Sequence, residues 1–294
     1  MSRYQAAIRE EALKARDVLL TKDVKEHYCL FGREPAPTPS RLWVPSQAMS
    51  KFPQEQALGD WAESHVAAAI NRSKTYKAVA FGDNDKTLAQ DVNFAGLYRA
   101  AKLRELKFGK RSDLLLFRES MKPPIEATSL SGEEAETLCS TCDAALEVRS
   151  SRTSANLFIE HCKRQVELGK KPSKMEPSFT VKIEDLSKVY RWIARNGKPL
   201  LYLQVFFDTV YALNFIEVFR FINTRGTKLK LEDPARSDKP TIMIPLSCGQ
   251  LVGTVTLPDF VAVHTVHDNG RHDIYAKPVG GGVEIDLKAL LASI

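Results

Sequence analysis

The middle of the chain alternates between short apolar runs and longer amphipathic segments. The runs that predict strands are YKAVAFG (76–82), SDLLLFR (112–118), DAALEVRSS (143–151) and PLLYLQVFF (199–207). Apolar residues at helical spacing predict helices over 54–71, 131–140, 154–169 and 185–197, the third with Phe158, Cys162 and Val166 at positions i, i+4 and i+8. Strands that alternate with helices form a sheet covered on both faces. We therefore predict an α/β fold with a mixed central sheet flanked by helices.

The two ends of the chain differ from this middle. Residues 2–30 carry apolar positions at helical spacing, and four prolines in GREPAPTPSRLWVPS (32–46) predict an extended connector. Beyond residue 240, short β-like runs separated by Gly, Pro and Asn-Gly predict hairpins at the edge of the core. The predicted regions are an N-terminal helical segment with connector (1–46), a core (47–225) and a β-rich C-terminal region (226–294).

Composition excludes several classes of protein. No stretch approaches the roughly 18 apolar residues of a membrane span, so no membrane partner is expected. Five cysteines are an odd number, which favours reduced thiols, and the N-terminus lacks the order of a signal peptide. We therefore expect a cytoplasmic protein. A P-loop and a convincing dinucleotide fingerprint are missing from the sequence, so no nucleotide cofactor is expected.

Three charged residues on two of the predicted strands suggest a catalytic site. Asp113 opens one apolar strand, and Glu147 with Arg149 lies on another. Side chains two positions apart on a strand point to the same face, so Glu147 and Arg149 share a surface that Asp113 joins if the strands are neighbours. Two carboxylates with solvent suit Mg²⁺, and metal plus cation favours phosphodiester cleavage.

Less specific interpretations of these patterns remain open. Acidic residues at strand ends are common, so the three could be structural. Cys139, Cys142, His161 and Cys162 offer zinc ligands, although core thiols are the default for such cysteines. A second loose group of possible ligands sits in the C-terminal region, where a polar hairpin end is the alternative: His264, His267, His272, Asp268 and Asp273.

Several segments of the chain resemble a known family. They are WVPSQAMSKFPQEQALGDWAE (43–63), GKRSDLLLF (109–117), ALEVRSS (145–151) and FTVKIEDLSKVYRWIARNGKPLLYLQVFFDTVYALNF (179–215). Over roughly residues 40 to 220 the chain resembles type II restriction endonucleases of the PD-(D/E)xK superfamily, and within it AccI-type enzymes. The resemblance implies that Asp113 and Glu147 are metal ligands and that Glu63, on the preceding helix, completes the site. A solvated carboxylate at the border of the helix is the alternative for Glu63.

The chain departs from this family at Arg149, where the family most often has Lys. Lysine loses its proton when its pKa is depressed, whereas arginine stays charged and is not a general base. Arg149 would then orient water and stabilise the phosphate, with proton removal left to another group. The alternative is that Lys163 or Lys182 reaches into the site and replaces the missing lysine.

Positive charge on a helix and a loop predicts contacts with DNA. Arg152 and Lys163 belong to the basic segment after Glu147, and the loop at 223–239 contains Arg225, Lys228 and Arg236. Ordinary solvated surfaces would look similar. We predict a Mg²⁺-dependent type II endonuclease that cuts double-stranded DNA at a short palindromic site as a homodimer. The alternatives are a repair or structure-specific nuclease on the same core and a catalytically decayed DNA-binding module.

Overall fold

The structure is a computed structural model of the 294-residue chain. It describes residues 2–31, 51–82, 94–121, 130, 132–232, 240–266, 270 and 272–294. The connector predicted at 32–46 therefore lies outside the described residues.

The described residues form α-helices and β-strands that alternate through the middle of the chain, as predicted. The helices are α1 Arg3–Leu20, α2 Lys51–Asn71, α3 Phe94–Phe108, α4 Gly132–Thr141, α5 Ala155–Glu167, α6 Ile183–Asn196, α7 Phe215–Arg225 and α8 Leu287–Ala292. The strands are β1 Tyr76–Ala80, β2 Leu114–Arg118, β3 Ala144–Ser150, β4 Ser178–Lys182, β5 Leu200–Val205, β6 Thr209–Asn214, β7 Thr241–Pro245, β8 Gln250–Thr256, β9 Asp259–Val266, β10 His272–Val279 and β11 Gly282–Ile285.

Seven of these strands make one central sheet in the order β1-β2-β3-β5-β6-β8-β11. Only β3 and β5 run parallel among its neighbouring pairs, so the sheet is mixed. Strands β8 and β11 extend one edge, while β4 with β7 and β9 with β10 form separate two-stranded ladders. The predicted fold class, with its mixed sheet, N-terminal helix and β-rich C-terminal part, is confirmed.

Each face of the sheet carries its own apolar core. Along β3, Ala145 belongs to the cluster formed with α1, α6 and α7, whereas Ala144, Leu146 and Val148 belong to the cluster formed with α2. Fully burying a leucine such as Leu146 contributes about 2 kcal/mol. Period-2 alternation therefore directs Glu147 and Arg149 toward the face that α6 covers.

The ends of the chain join these same cores. Helix α1 buries Ile8, Ala12 and Leu19 completely and packs against α7. Val283 of β11 and Leu290 of α8 belong to the cluster beneath α2. The predicted boundaries between regions at residues 46 and 225 stay a prediction. Residues from both ends of the chain belong to the same apolar cores as the central region. No described helix has the length and apolar character needed to cross a membrane.

Helix α5 is fixed at its N-terminus by a residue far away in sequence. Both carboxylate oxygens of Asp208 accept hydrogen bonds of 2.8 Å, from the backbone N–H groups of Ala155 and Asn156. Of the residues whose spacing predicts this helix, Cys162 is buried and Val166 is 49% exposed. The spacing identified a shared face, but the packing does not cover its last turn.

Candidate active site

Asp113 is held where β1, β2 and β3 meet. Its backbone carbonyl accepts hydrogen bonds from the N–H groups of Phe81 (2.9 Å) and Gly82 (3.1 Å) beyond the end of β1. Its side-chain Oδ2 accepts a 2.7 Å hydrogen bond from the N–H of Val148, in the middle of β3. The pairing of β2 with β3 therefore brings Asp113 beside the strand that carries Glu147 and Arg149.

The carboxylate of Glu147 is buried, with only 2% of the residue exposed. Its Oε1 lies 2.6 Å from Nζ of Lys110 and 2.8 Å from Nη2 of Arg149. Its Oε2 is also buried and has no hydrogen-bond partner among the described residues. A buried carboxylate oxygen without a donor is costly, so this atom is suited to a ligand from outside the chain.

A second buried carboxylate, Asp185 in the first turn of α6, faces the same two cations. Its Oδ2 lies 3.3 Å from Nζ of Lys110 and 3.4 Å from Nη2 of Arg149. Glu147, Lys110, Asp185 and Arg149 thus form a closed ring of alternating charge. We refer to these four residues as the charge ring.

Burial and the charges of the ring shift the pKa values of Asp185, Lys110 and Arg149. Burial alone would raise the pKa of Asp185, but the positive charges of Lys110, Arg149, Lys188 and Lys182 together outweigh burial and hold that pKa below its usual range. Burial would lower the pKa values of Lys110 and Arg149, but the carboxylates of Asp185 and Glu147 keep both above their ordinary values. Both cations therefore stay charged at neutral pH.

Asp113 behaves in the opposite way. Burial raises the pKa of its carboxyl well above the usual value, and the negative charges of Glu147 and Glu63 raise it further, against a smaller effect of Lys110 and Arg149. Glu63, half-buried on α2, is thus close enough for its charge to act on Asp113. Crowded carboxylates of this kind favour a bound cation. The structure brings Asp113, Glu147 and Arg149 together, with Glu63 nearby.

Three residues of this site were missed by sequence reasoning. They are Lys110, Asp185 and Tyr202, the last of which lies opposite Glu147 in the β3–β5 register and has a buried hydroxyl without a hydrogen-bond partner in the described structure. The one available signal was Lys110 itself, three residues before Asp113 in GKRSD. Asp185 looked like an ordinary first-turn acid, which the helix dipole favours.

The residues predicted to contact DNA are spread over several elements. Arg152 follows β3 and lies 3.2 Å from Glu55 of α2. Lys163 is exposed on α5, Arg225 ends α7 with its guanidinium over the Phe221 ring, and Lys228 lies in a short 3-10 turn. Arg236 lies outside the described residues. The described contacts join none of these side chains to the charge ring.

The other candidate metal sites are less complete. Within the described ranges, no three His, Cys, Asp or Glu side chains form a group that could hold a metal ion. Cys139, Cys142 and Cys162 are buried free thiols. His264 and His272 stack on the β9–β10 hairpin, with Nε2 and Nδ1 2.7 Å apart, while His267 and Asp268 lie outside the described residues.

A comparison with models of protein families identifies the family of the chain. The model of the AccI restriction endonuclease matches residues 15–170 and 165–294, which together span nearly all of the sequence. No curated protein and no solved structure matches it. With a match of this extent, the chain belongs to the AccI restriction endonuclease family and is a nuclease that acts on DNA.

Proposed function

We propose that the protein is a type II restriction endonuclease that uses Mg²⁺ to cut double-stranded DNA at a short palindromic site. The observation that carries this proposal is the pair Asp113 and Glu147 at neighbouring strands, with the buried Oε2 of Glu147 lacking a partner in the described structure. Mg²⁺ is usually held by one or two protein carboxylates, with water and substrate phosphate completing its shell. Two carboxylates backed by cations fit that requirement.

The residues of the chain divide the chemistry of hydrolysis among them. When bound, Mg²⁺ would lower the pKa of a coordinated water and place positive charge next to the phosphate. Glu147 and Asp113 would provide its oxygen ligands, and the N–H of Val148 fixes the orientation of Asp113. Arg149 stays charged and offsets the negative charge that develops on the phosphoryl oxygens.

The reaction exchanges one phosphorus–oxygen bond for another. A water oxygen bonds to phosphorus, the ester bond on the opposite side breaks, and its electron pair goes to the leaving sugar oxygen. Water gives up one proton and the leaving oxygen takes one, so charge and atoms balance. Because Arg149 remains protonated, it can hold the phosphate but cannot accept the proton of the attacking water, which passes to solvent.

A homodimer is part of the proposal, because a two-fold protein matches a palindromic site and places one active centre on each strand. Net charge supports a DNA partner, since 42 Lys and Arg stand against 36 Asp and Glu even with the acids of the site included. All five cysteines are free thiols, which fits a reducing compartment such as the cytoplasm.

Digestion of a mixed-sequence plasmid, followed by sequencing of the ends, tests the function. We expect discrete fragments in Mg²⁺ and none in EDTA, with no cleavage by Asp113→Asn. The matched control is Asp143→Asn, because Asp143 precedes β3 as Asp113 precedes β2, yet pairs with Arg118 instead. DNA binding without cleavage in any divalent metal would instead indicate a decayed module, and random nicks would indicate a repair nuclease.

A further inference from the structure

The position two residues after Glu147 holds arginine, yet a lysine reaches the same carboxylate from another part of the chain. Nζ of Lys110 lies 2.6 Å from Oε1 of Glu147, closer than Nη2 of Arg149 at 2.8 Å. Resting on the function proposed above, we infer that Lys110, in the loop between α3 and β2, is the catalytic lysine of this site and that Asp185 is its positioning residue.

The fold places Lys110 with a dedicated backbone arrangement. Gly109 ends α3 with φ of +89°, and a Cβ there would lie 2.5 Å from the backbone N of Trp192 and 2.7 Å from the carbonyl O of Lys188. Only glycine lets the loop approach α6 this closely. The N–H of Lys110 then donates to the carbonyl of Lys188 at 3.2 Å.

A buried ion-pair cluster holds α3 against α6 one turn away. Oε2 of Glu105 on α3 lies 3.1 Å from Nζ of Lys188 on α6 and 2.9 Å from Nζ of Lys102. Helix α6 also carries Asp185, so the same packing that fixes the backbone of Lys110 fixes the carboxylate facing its ammonium group.

The ammonium group of Lys110 has capacity for a substrate. It carries three N–H donors, and its described contacts are with Oε1 of Glu147 and Oδ2 of Asp185. One donor is left for a phosphate oxygen beside the Asp113–Glu147 pair. Arg149 shares both acceptors, but its Nε is buried and has no described hydrogen-bond partner.

Asp185 acts through Lys110 and Arg149. If Glu147 held a metal ion, its charge would be shared with that ion, and Asp185 would remain as the carboxylate that holds both cationic groups in place. The two other lysines considered for this role are placed differently. Lys163 is exposed on α5, and Lys182 precedes α6 as its N-cap residue.

Four variants test Lys110 by single-turnover plasmid cleavage in Mg²⁺, with DNA affinity measured separately in EDTA and thermal melts as a folding control. Lys110→Met should cut about 100-fold more slowly than wild type with unchanged DNA affinity, the loss typical of one transition-state donor. Lys14→Met, the matched control, removes an exposed lysine that pairs with Glu10 on α1 and should cut at the wild-type rate. Lys110→Met combined with Arg149→Lys should regain about tenfold, because the lysine returns to the usual strand position.

Lys110→Gln covers the case in which Lys110→Met does not fold, because glutamine keeps a donor toward Glu147 without the charge. A folded Lys110→Gln or Lys110→Met that cuts within about threefold of wild type would overturn the role of Lys110 while leaving the proposed function intact. An inactive wild-type protein would overturn both.

Asp185 is tested by separating rate from affinity. Asp185→Asn should reduce the single-turnover rate by about tenfold with unchanged DNA affinity, and Asp185→Glu should recover part of that rate because the charge returns. Glu184→Gln removes a carboxylate from the same helical turn and should leave the rate unchanged. Equal losses of rate in Asp185→Asn and Asp185→Glu, or a loss confined to thermal stability, would overturn the positioning role.

Discussion

The two carboxylates at the centre of the site should respond to neutralisation in opposite directions. Glu147 faces two cations at 2.6 and 2.8 Å, whereas the charge of Asp113 is opposed by Glu147 and Glu63. We therefore expect Glu147→Gln to lower the free energy of unfolding in the absence of metal, and Asp113→Asn to raise it. Both variants should lose cleavage.

The size of the Glu147 effect follows from its burial. Its side chain is 3% exposed, and removing one partner of a buried ion pair costs about 3 to 5 kcal/mol. Glutamine still accepts one hydrogen bond, and Asp185 still faces both cations, so we expect a loss of about 3 kcal/mol. For Asp113→Asn, the amide oxygen still accepts from the N–H of Val148, and the opposed charge is removed.

The raised pKa of Asp113 also predicts that the free energy of unfolding depends on pH. Because its folded-state pKa is raised, the folded protein binds the proton more tightly than the unfolded chain, whose Asp pKa is about 3.9. Stability from this group is therefore full below about pH 4 and is lost as pH rises toward the folded pKa. Each unit by which the pKa is raised corresponds to about 1.4 kcal/mol.

The assay is urea unfolding in EDTA at about pH 5 and about pH 8, followed by circular dichroism. The stabilisation by Asp113→Asn relative to wild type should be larger at the higher pH, and added Mg²⁺ should narrow it by stabilising the wild type. A loss above about 1 kcal/mol in Asp113→Asn at about pH 8 would refute the charge argument, as would a loss below about 1 kcal/mol in Glu147→Gln.

Three further substitutions test other parts of the framework by urea unfolding. Asp208→Ala removes the acceptor of two backbone N–H groups at the start of α5 and should cost about 2 kcal/mol; a change under about 0.5 would contradict the capping role. Gly109→Ala should cost about 2 kcal/mol more than Gly169→Ala, which has a similar φ of +74° but open space around its Cβ; equal costs would show that the approach to α6 does not matter. Tyr202→Phe removes a buried hydroxyl without a described partner and should stabilise the fold by about 1 kcal/mol, so a clear destabilisation would reveal an uncounted hydrogen bond.

Local patterns were enough to predict the mixed sheet and the face that Glu147 and Arg149 share. Alternation along ALEVRSS placed Glu147 and Arg149 on one face because side-chain direction in a strand depends only on position along it. The face of α5 was less predictable: helical spacing grouped Val166 with Cys162, but burial depends on how far the neighbouring layer extends. Spacing identifies which residues share a face, and tertiary packing decides which of them are covered.

Lys110 and Asp185 were beyond local reasoning for a different reason. Their contact depends on the approach of the loop after α3 to the backbone of α6, between residues far apart in sequence. Apart from its position three residues before Asp113, nothing in the segment around Lys110 distinguishes its ammonium from other lysines of a basic chain. Gly109 has the positive φ that this close approach requires. A left-handed glycine at the end of a helix is common, however, so Gly109 alone says little about a contact with α6.

The charge ring also explains how arginine is compatible with the position two residues after Glu147. A lysine there and a second lysine at 110 would place two compact, strongly hydrated ammonium groups on the same pair of carboxylates. Arginine is more weakly hydrated and spreads its charge over a planar fork, so it shares Glu147 and Asp185 with Lys110 at a lower desolvation cost. Arg149→Lys in an otherwise wild-type chain should therefore lower the free energy of unfolding at neutral pH. Only the variant that combines it with Lys110→Met should carry lysine at position 149 without that loss. An Arg149→Lys variant as stable as wild type would show that the two cations do not compete for the ring.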